Sequence, residues 1–152
     1  MKSLVNAVDK QEVIARLAKL TPDAQRRWGR MTSHEAICHL SDSYLAGLGE
    51  KPVSSASGPF QRSFVKWAAL YLPTKWPRGI QTRPEMEAGV GGTPPARFSR
   101  DLDALARLVD RFSTQASDFA WHPHPIFGLL TARQWLRWGY LHADHHLRQF
   151  GL

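Results

Sequence analysis

Apolar residues recur at helical spacing in every stretch of this chain long enough to form an element, and nowhere do they alternate long enough to make a sheet strand. That periodicity predicts an all-α chain in which each amphipathic stripe is buried against another helix. Val13, Leu17 and Leu20 mark a short first helix over about residues 9–20. Thr32 and Glu35 stand in capping-box relation at the start of a second helix over about 33–48, which Gly47 and Gly49 should end. An aromatic-rich third helix runs from Phe60 to Leu72 and stops at Pro73. A fourth starts near Ser99, with Leu102, Leu105, Val109 and Phe112 on one stripe, and Thr131 caps a last helix that reaches about Phe150. The expected architecture is a four-helix bundle with an additional short helix and long loops, one domain over residues 1–152.

The loops carry information too. From Pro77 to Pro95 the chain is studded with proline and glycine and has no apolar period, and a loop of that length inside a compact domain is more often functional or mobile than accidental. The segment Trp121-His122-Pro123-His124-Pro125 cannot be regular helix, because both prolines remove a donor and restrict the residue before them.

Composition removes whole classes of function. With 152 residues, 43% of them hydrophobic and 22% charged, the chain supports one packed core and is neither disordered, collagen-like nor membrane-spanning in character. Lys and Arg number 20 against 13 acids, a formal charge of +7, which raises nucleic acid or an acidic membrane as partners. The distribution argues against both, since the densest basic cluster is only Arg26, Arg27 and Arg30. The single cysteine, Cys38, allows no internal disulfide. The amino-terminal stretch lacks the apolar core of a secretory signal, so a cytoplasmic location is expected.

Chemistry concentrates on the last helix, which holds three of the seven histidines. At about 100° per residue, Trp135, His142 and His146 fall within roughly 40° of one another, flanked by Trp138 and Gln149. Arg133, Arg137, Asp144 and Arg148 gather on the opposite, solvated side. Two imidazoles at i and i+4 share a face one turn apart, the spacing by which one helix offers two nitrogens to a single metal ion. HxxxH alone also occurs as ordinary packing, and a His142–His145 pair is open to the same spacing argument. A third ligand must come from a facing helix, and His39 beside the apolar stripe of the second helix is the best placed. Glu35 and Asp42 lie on its polar side, where either can hold the imidazole tautomer or simply be solvated, Glu35 being the more committed to its cap.

Other chemistries fit less well. Cys38 has no CxxC partner and points away from His39, which leaves it a small buried residue. There is no GxSxG elbow and no phosphate loop, and the glycines at 89–92 neither follow a strand nor open a helix. His122 and His124, each followed by proline, are rigid-loop residues first.

Several segments, in order, resemble a known family. The ending His124-Pro125-Ile126-Phe127-Gly128, then Thr131, Trp135 and LHADHHLRQFG over 141–151, is similar to an uncharacterised subgroup, a domain of unknown function, within the DinB/YfiT-like metalloenzyme superfamily. RWGRMTSHEAICHLSDS over 27–43 looks like its second-helix motif, and RGIQTRPEMEAGVGGTPP over 78–95 like its loop. The resemblance implies a DinB-like bundle holding a metal through one histidine of the second helix and an HxxxH on the last, which here are His39, His142 and His146. It also implies a homodimer, and chemistry that in some members uses low-molecular-weight thiols.

Two functions are therefore expected. The first is a metal-dependent enzyme, a hydrolase or a thiol-dependent transferase on a small molecule, in which Zn²⁺ or Ni²⁺, with Fe²⁺ behind them, acidifies a water or thiol. Trp135 and Trp138 would wall its pocket, Gln149 would orient a ligand or water, Arg83 would shape access for an anion, and Asp42, His145 and His124 are the candidate bases. The second is a non-enzymatic metal-binding or interaction module whose histidine site is structural or vestigial. A fourth protein ligand, His145 or Asp42, would favour the second.

Overall fold

Helices begin where the sequence supplies caps. In the computed structural model, which describes residues Met1–Leu152, α1 (Ala7–Leu17) starts at Asn6, whose side chain accepts from the Val8 N–H. α2 (Ser33–Gly47) starts at the expected box, with Thr32 and Glu35 each satisfying the other's backbone N–H. α5 (Ala132–Gln149) opens on a second box, Thr131 with Gln134. α3 (Lys66–Tyr71) is preceded without a break by a π-helical turn over Gln61–Val65, and α4 spans Phe98–Ser113. The chain is all-α with five α-helices and no strand, its only bridges being isolated pairs at Ala88–Gly92 and His124–Gly128.

α1 packs on α4 and α5, and α2 packs on the same two, so these four helices close a ring around one core. α3 stands outside it against α5. Val13 and Leu17, Ile37, Leu40 and Tyr44, Leu105, Val109 and Phe112, and Trp135, Ala143 and Leu147 meet in the middle, all essentially fully buried. Each large member contributes about 1.5–3 kcal/mol by leaving water. No helix is long and apolar enough to cross a membrane.

One glycine sets how closely the two histidine-bearing helices approach. The Tyr44 hydroxyl of α2 donates to the Gly139 carbonyl of α5 at 2.8 Å. A Cβ at Gly139 would lie 2.9 Å from Leu4 Cδ1 and 3.1 Å from the Tyr44 ring, too close without repacking. The absent side chain therefore lets α2 and α5 run near enough for their histidines to meet.

The proline- and glycine-rich loop is pinned rather than free. Thr93 donates its N–H and its hydroxyl to the buried Asp42 carboxylate at 2.7 and 2.6 Å, and Lys51 approaches the same group at 3.3 Å. A 3₁₀ turn over Pro84–Met86 then buries Met86 against α2.

Candidate metal centre

α2 contributes His39 and α5 contributes His142 and His146, all three buried, with ligand atoms within 4.8 Å of one another. The structure brings together the three residues that helical spacing singled out. His39 Nε2 lies 3.1 Å from His142 Nε2. The ring of His39 meets those of His142 and His146 edge-on, with centroids 5.1 and 4.9 Å away.

Outer contacts settle which nitrogens face inward. His39 Nδ1 lies 3.1 Å from the Met86 carbonyl, an acceptor only, so Nδ1 carries the proton and Nε2 presents a lone pair. His146 Nδ1 lies 3.0 Å from Gln149 Oε1, and the Gln149 amide nitrogen donates to the Trp28 carbonyl at 2.9 Å. Because that carbonyl can only accept, the Gln149 oxygen must face His146, and His146 too turns Nε2 inward. His142 Nδ1 is buried without a partner.

The donor set fits a divalent cation. With His39 Nε2 unprotonated, its close contact with His142 Nε2 needs either a proton on the latter or a cation between two lone pairs. Burial holds His39 below the ordinary histidine value and pushes His142 and His146 well below it, with repulsion from the neighbouring imidazoles adding to the effect. Burial thus favours the neutral imidazoles that metal binding requires.

The triad lines a cavity of about 1130 Å³. Trp135 and Trp138 form part of its wall, as expected, and the Trp135 indole N–H is buried unpartnered. Phe60 and Phe64, stacked with centroids 5.6 Å apart, line it from the chain leading into α3. His145 lines it beside His146, packed edge-on against Trp28, with its Nδ1 unpartnered. Burial lowers His145 to about 4, and the positive charge of Arg148 acts in the same direction.

Other singled-out residues have different places. Neither Glu35 nor Asp42 holds the His39 tautomer: Glu35 closes the cap, and Asp42, far from solvated, is taken by Thr93 and Lys51. The group that does the work is the Met86 carbonyl, a backbone atom with no signature in residue type. His124 is buried, and its Nδ1 accepts from the N–H groups of Ile126 and Phe127, both at 3.1 Å, as befits a rigid-loop residue. His122 packs its ring over Gly49. Arg83 lines the cavity and donates to Ser54. Arg137 is drawn in from the solvated side to bond the carbonyls of Leu70 and Lys2.

Sequence reasoning did not find a second grouping, His34, Cys38 and Asp101, whose candidate ligand atoms also lie within 4.8 Å of one another. Its carboxylate is already engaged: Asp101 accepts from His34 Nε2 at 2.7 Å and from the Ala96 and Arg97 N–H groups at 3.1 Å. It thereby ties the start of α4 to α2.

The family described as "Protein of unknown function (DUF1569)" matches residues 54–151, a span that includes Met86, His142 and His146 and begins after α2. No curated protein and no solved structure matches the chain significantly.

Proposed function

The chain belongs to the DUF1569 family of proteins of unknown function, and from that premise we propose that it is a metal-dependent enzyme acting on a small molecule, a hydrolase or a thiol-dependent transferase, with His39, His142 and His146 as the ligands of one divalent ion. The observation that carries this proposal is the pair of outer bonds from His39 to Met86 and from His146 to Gln149, which aim two lone pairs into one cavity. Any buried imidazole N–H needs an acceptor, but here both outer bonds turn the opposite nitrogens, Nε2 of His39 and of His146, toward the same place, as the outer partners of ligating histidines do.

A divalent cation in this place, Zn²⁺ or Ni²⁺ ahead of Fe²⁺, supplies Lewis acidity that makes a water or a thiol a stronger acid. The protein's own residues do the rest. Trp135 and Trp138 exclude water from one side, and Gln149 keeps His146 in register. Of the three candidate bases, Asp42 is engaged by Thr93 and Lys51, and His124 has its Nδ1 occupied by two backbone donors. Of the three, His145 is the one that lines the cavity with its Nδ1 engaged by no partner. The relation to DinB/YfiT-like proteins belongs to the same proposal, supported by the placing of one histidine on α2 and two on α5 across a four-helix ring, and a homodimer is proposed only as what that relation implies.

A non-enzymatic module is the second reading, and the half-exposed rings of Phe60, Phe64 and Trp67 speak for it. The ligand number speaks against it, because the cluster has three protein donors where a structural site has four. Elemental analysis of untagged protein beside His39→Ala and His142→Ala, each checked by circular dichroism, tests the proposal. About one equivalent of metal in the parent and little in the folded variants is expected. No metal after incubation with Zn²⁺ or Ni²⁺ would overturn it and put the binding module first.

A further inference from the structure

The cavity that holds the triad sorts its lining by burial. The charged side chains that line it are Arg30, Glu35, Lys75, Arg83 and Glu87, and none of them is buried. Most are also occupied within the protein: Arg30 pairs with Glu87 at 3.6 Å, Glu35 closes the α2 cap, and Arg83 donates to Ser54. The buried lining holds no Asp, Glu, Lys or Arg, and Met86, Phe127, Trp135 and Trp138 stand there beside the histidines. Its other polar groups are engaged. Ser43 donates its hydroxyl to the His39 carbonyl at 2.7 Å, Gln149 is bonded at both ends of its amide, and His124 Nδ1 accepts two backbone N–H groups.

Aromatic faces stand around the triad. The Trp138 ring lies 4.7 Å from that of His142 at a tilt of 45°, and the Trp76 ring lies 6.0 Å from it at 34°. Trp76 is built in, because its indole N–H donates to the Ala69 carbonyl of α3 at 2.8 Å and so folds the chain after α3 back as a wall. The π-helical turn before α3 adds Phe64 and Val65 to the lining, and turns of this kind recur at functional sites. Phe64 lines the cavity and is still 56% exposed, so its ring presents apolar surface that a ligand can cover.

We propose that this cavity takes an aromatic small molecule with an uncharged body, its rings against Trp76, Trp138 and Phe64 and its polar group toward the triad. This names the substrate class of the same site and so rests on the cavity being the functional chamber. A charge on the body would lose its water among the buried lining residues and find no counter-charge there. A flat ring instead gains the offset and edge-on contacts that indoles make.

Fluorescence titration of the metal-free protein tests this, at high salt so that the net charge of +7 is screened. The neutral probe N-phenyl-1-naphthylamine should saturate a single site, and 1-anilinonaphthalene-8-sulfonate, with the same rings and one negative charge, should bind about tenfold more weakly. Ala68→Trp fills the cavity from α3 and Phe64→Ser removes an aromatic wall, and each should weaken the neutral probe by about tenfold. Val8→Ser, which removes an exposed apolar side chain of α1 outside the cavity, should leave it unchanged. Circular dichroism confirms that each variant is folded, and Phe64→Ser, at an exposed position, carries the test should Ala68→Trp not fold. No saturable binding, a sulfonate that binds as tightly as the neutral probe, or parent-like affinity in the folded cavity variants overturns the inference. Because no metal takes part, probe binding without metal uptake keeps the ligand class and sinks the metal centre, while metal uptake without probe binding does the reverse.

Discussion

His146 donates its Nδ1–H to the side-chain oxygen of Gln149, three residues further along α5, at 3.0 Å. Gln149 is itself anchored by donation to the Trp28 carbonyl, so a loop before α2 reaches a ligand nitrogen through one amide. Gln149→Ala should lower Zn²⁺ affinity by about 10–100-fold while leaving the helices intact. Gln149→Glu, which keeps an acceptor for His146, should recover part of that loss. Competition with a chromophoric chelator measures both, and an unchanged affinity in Gln149→Ala would reduce the residue to packing.

Asp42 acts on the other arm of the site. It is 1% exposed and holds Thr93, so it fixes the loop whose Met86 carbonyl orients His39. Asp42→Ala strands Lys51 and two Thr93 donors and should cost about 2–4 kcal/mol in denaturant unfolding. Limited proteolysis should then cut within residues 77–95. A variant as stable and as resistant as the parent would show that the latch is dispensable.

The stability of the metal-free protein should depend on pH through His124. Burial depresses its folded-state value to about 3, below an ordinary value near 6.5, and its Nδ1 must stay unprotonated to accept two backbone N–H groups. Between those limits the unfolded chain binds the extra proton, so this contribution is complete above about 6.5 and is lost progressively as pH falls toward 3. The other buried imidazoles titrate in the same sense, so the comparison is with His124→Asn, whose amide oxygen replaces the acceptor. The variant should show a shallower loss of stability with acidity, and parallel pH profiles would contradict this assignment.

Cys38 should behave as an inert core residue. Burial raises its thiol to about 11, and the carboxylates of Asp101, Asp42 and Glu35 push the same way. Native protein at pH 8 should react with iodoacetamide at least about tenfold more slowly than protein unfolded in guanidinium, by mass spectrometry. Equal rates would mean that the α2–α4 seam opens readily.

Much of the fold was legible because it depends on neighbours in sequence. Thr32 with Glu35 opens α2 as a local reciprocal bond does wherever it occurs, and the observed bounds of α2, α4 and α5 fall within a residue or so of those expected from caps and period. α1 is less faithful, ending at Leu17 rather than Leu20, because Leu20 is buried by tertiary contact after the helix has stopped. The π-helical turn before α3 has no marker in residue type.

The site divides along the same line. Helical spacing puts His142 and His146 on one face whatever surrounds them, and a facing helix makes His39 their natural partner, so all three could be named from sequence. What orients them lies far along the chain: the Met86 carbonyl is 47 residues from His39, and the Trp28 carbonyl is 121 residues from Gln149. The sequence leaves Asp42 either an acceptor for His39 or a solvated charge, and the structure makes it instead the anchor of a loop 51 residues away. The sequence by itself determined the helices, their buried faces and the three inward histidines, because periodicity and capping act over one or two turns. Only the tertiary structure decided their tautomers and the aromatic-walled cavity around them, because backbone carbonyls carry no residue identity and Phe64, Trp76 and Trp138 line one cavity only when distant segments fold together.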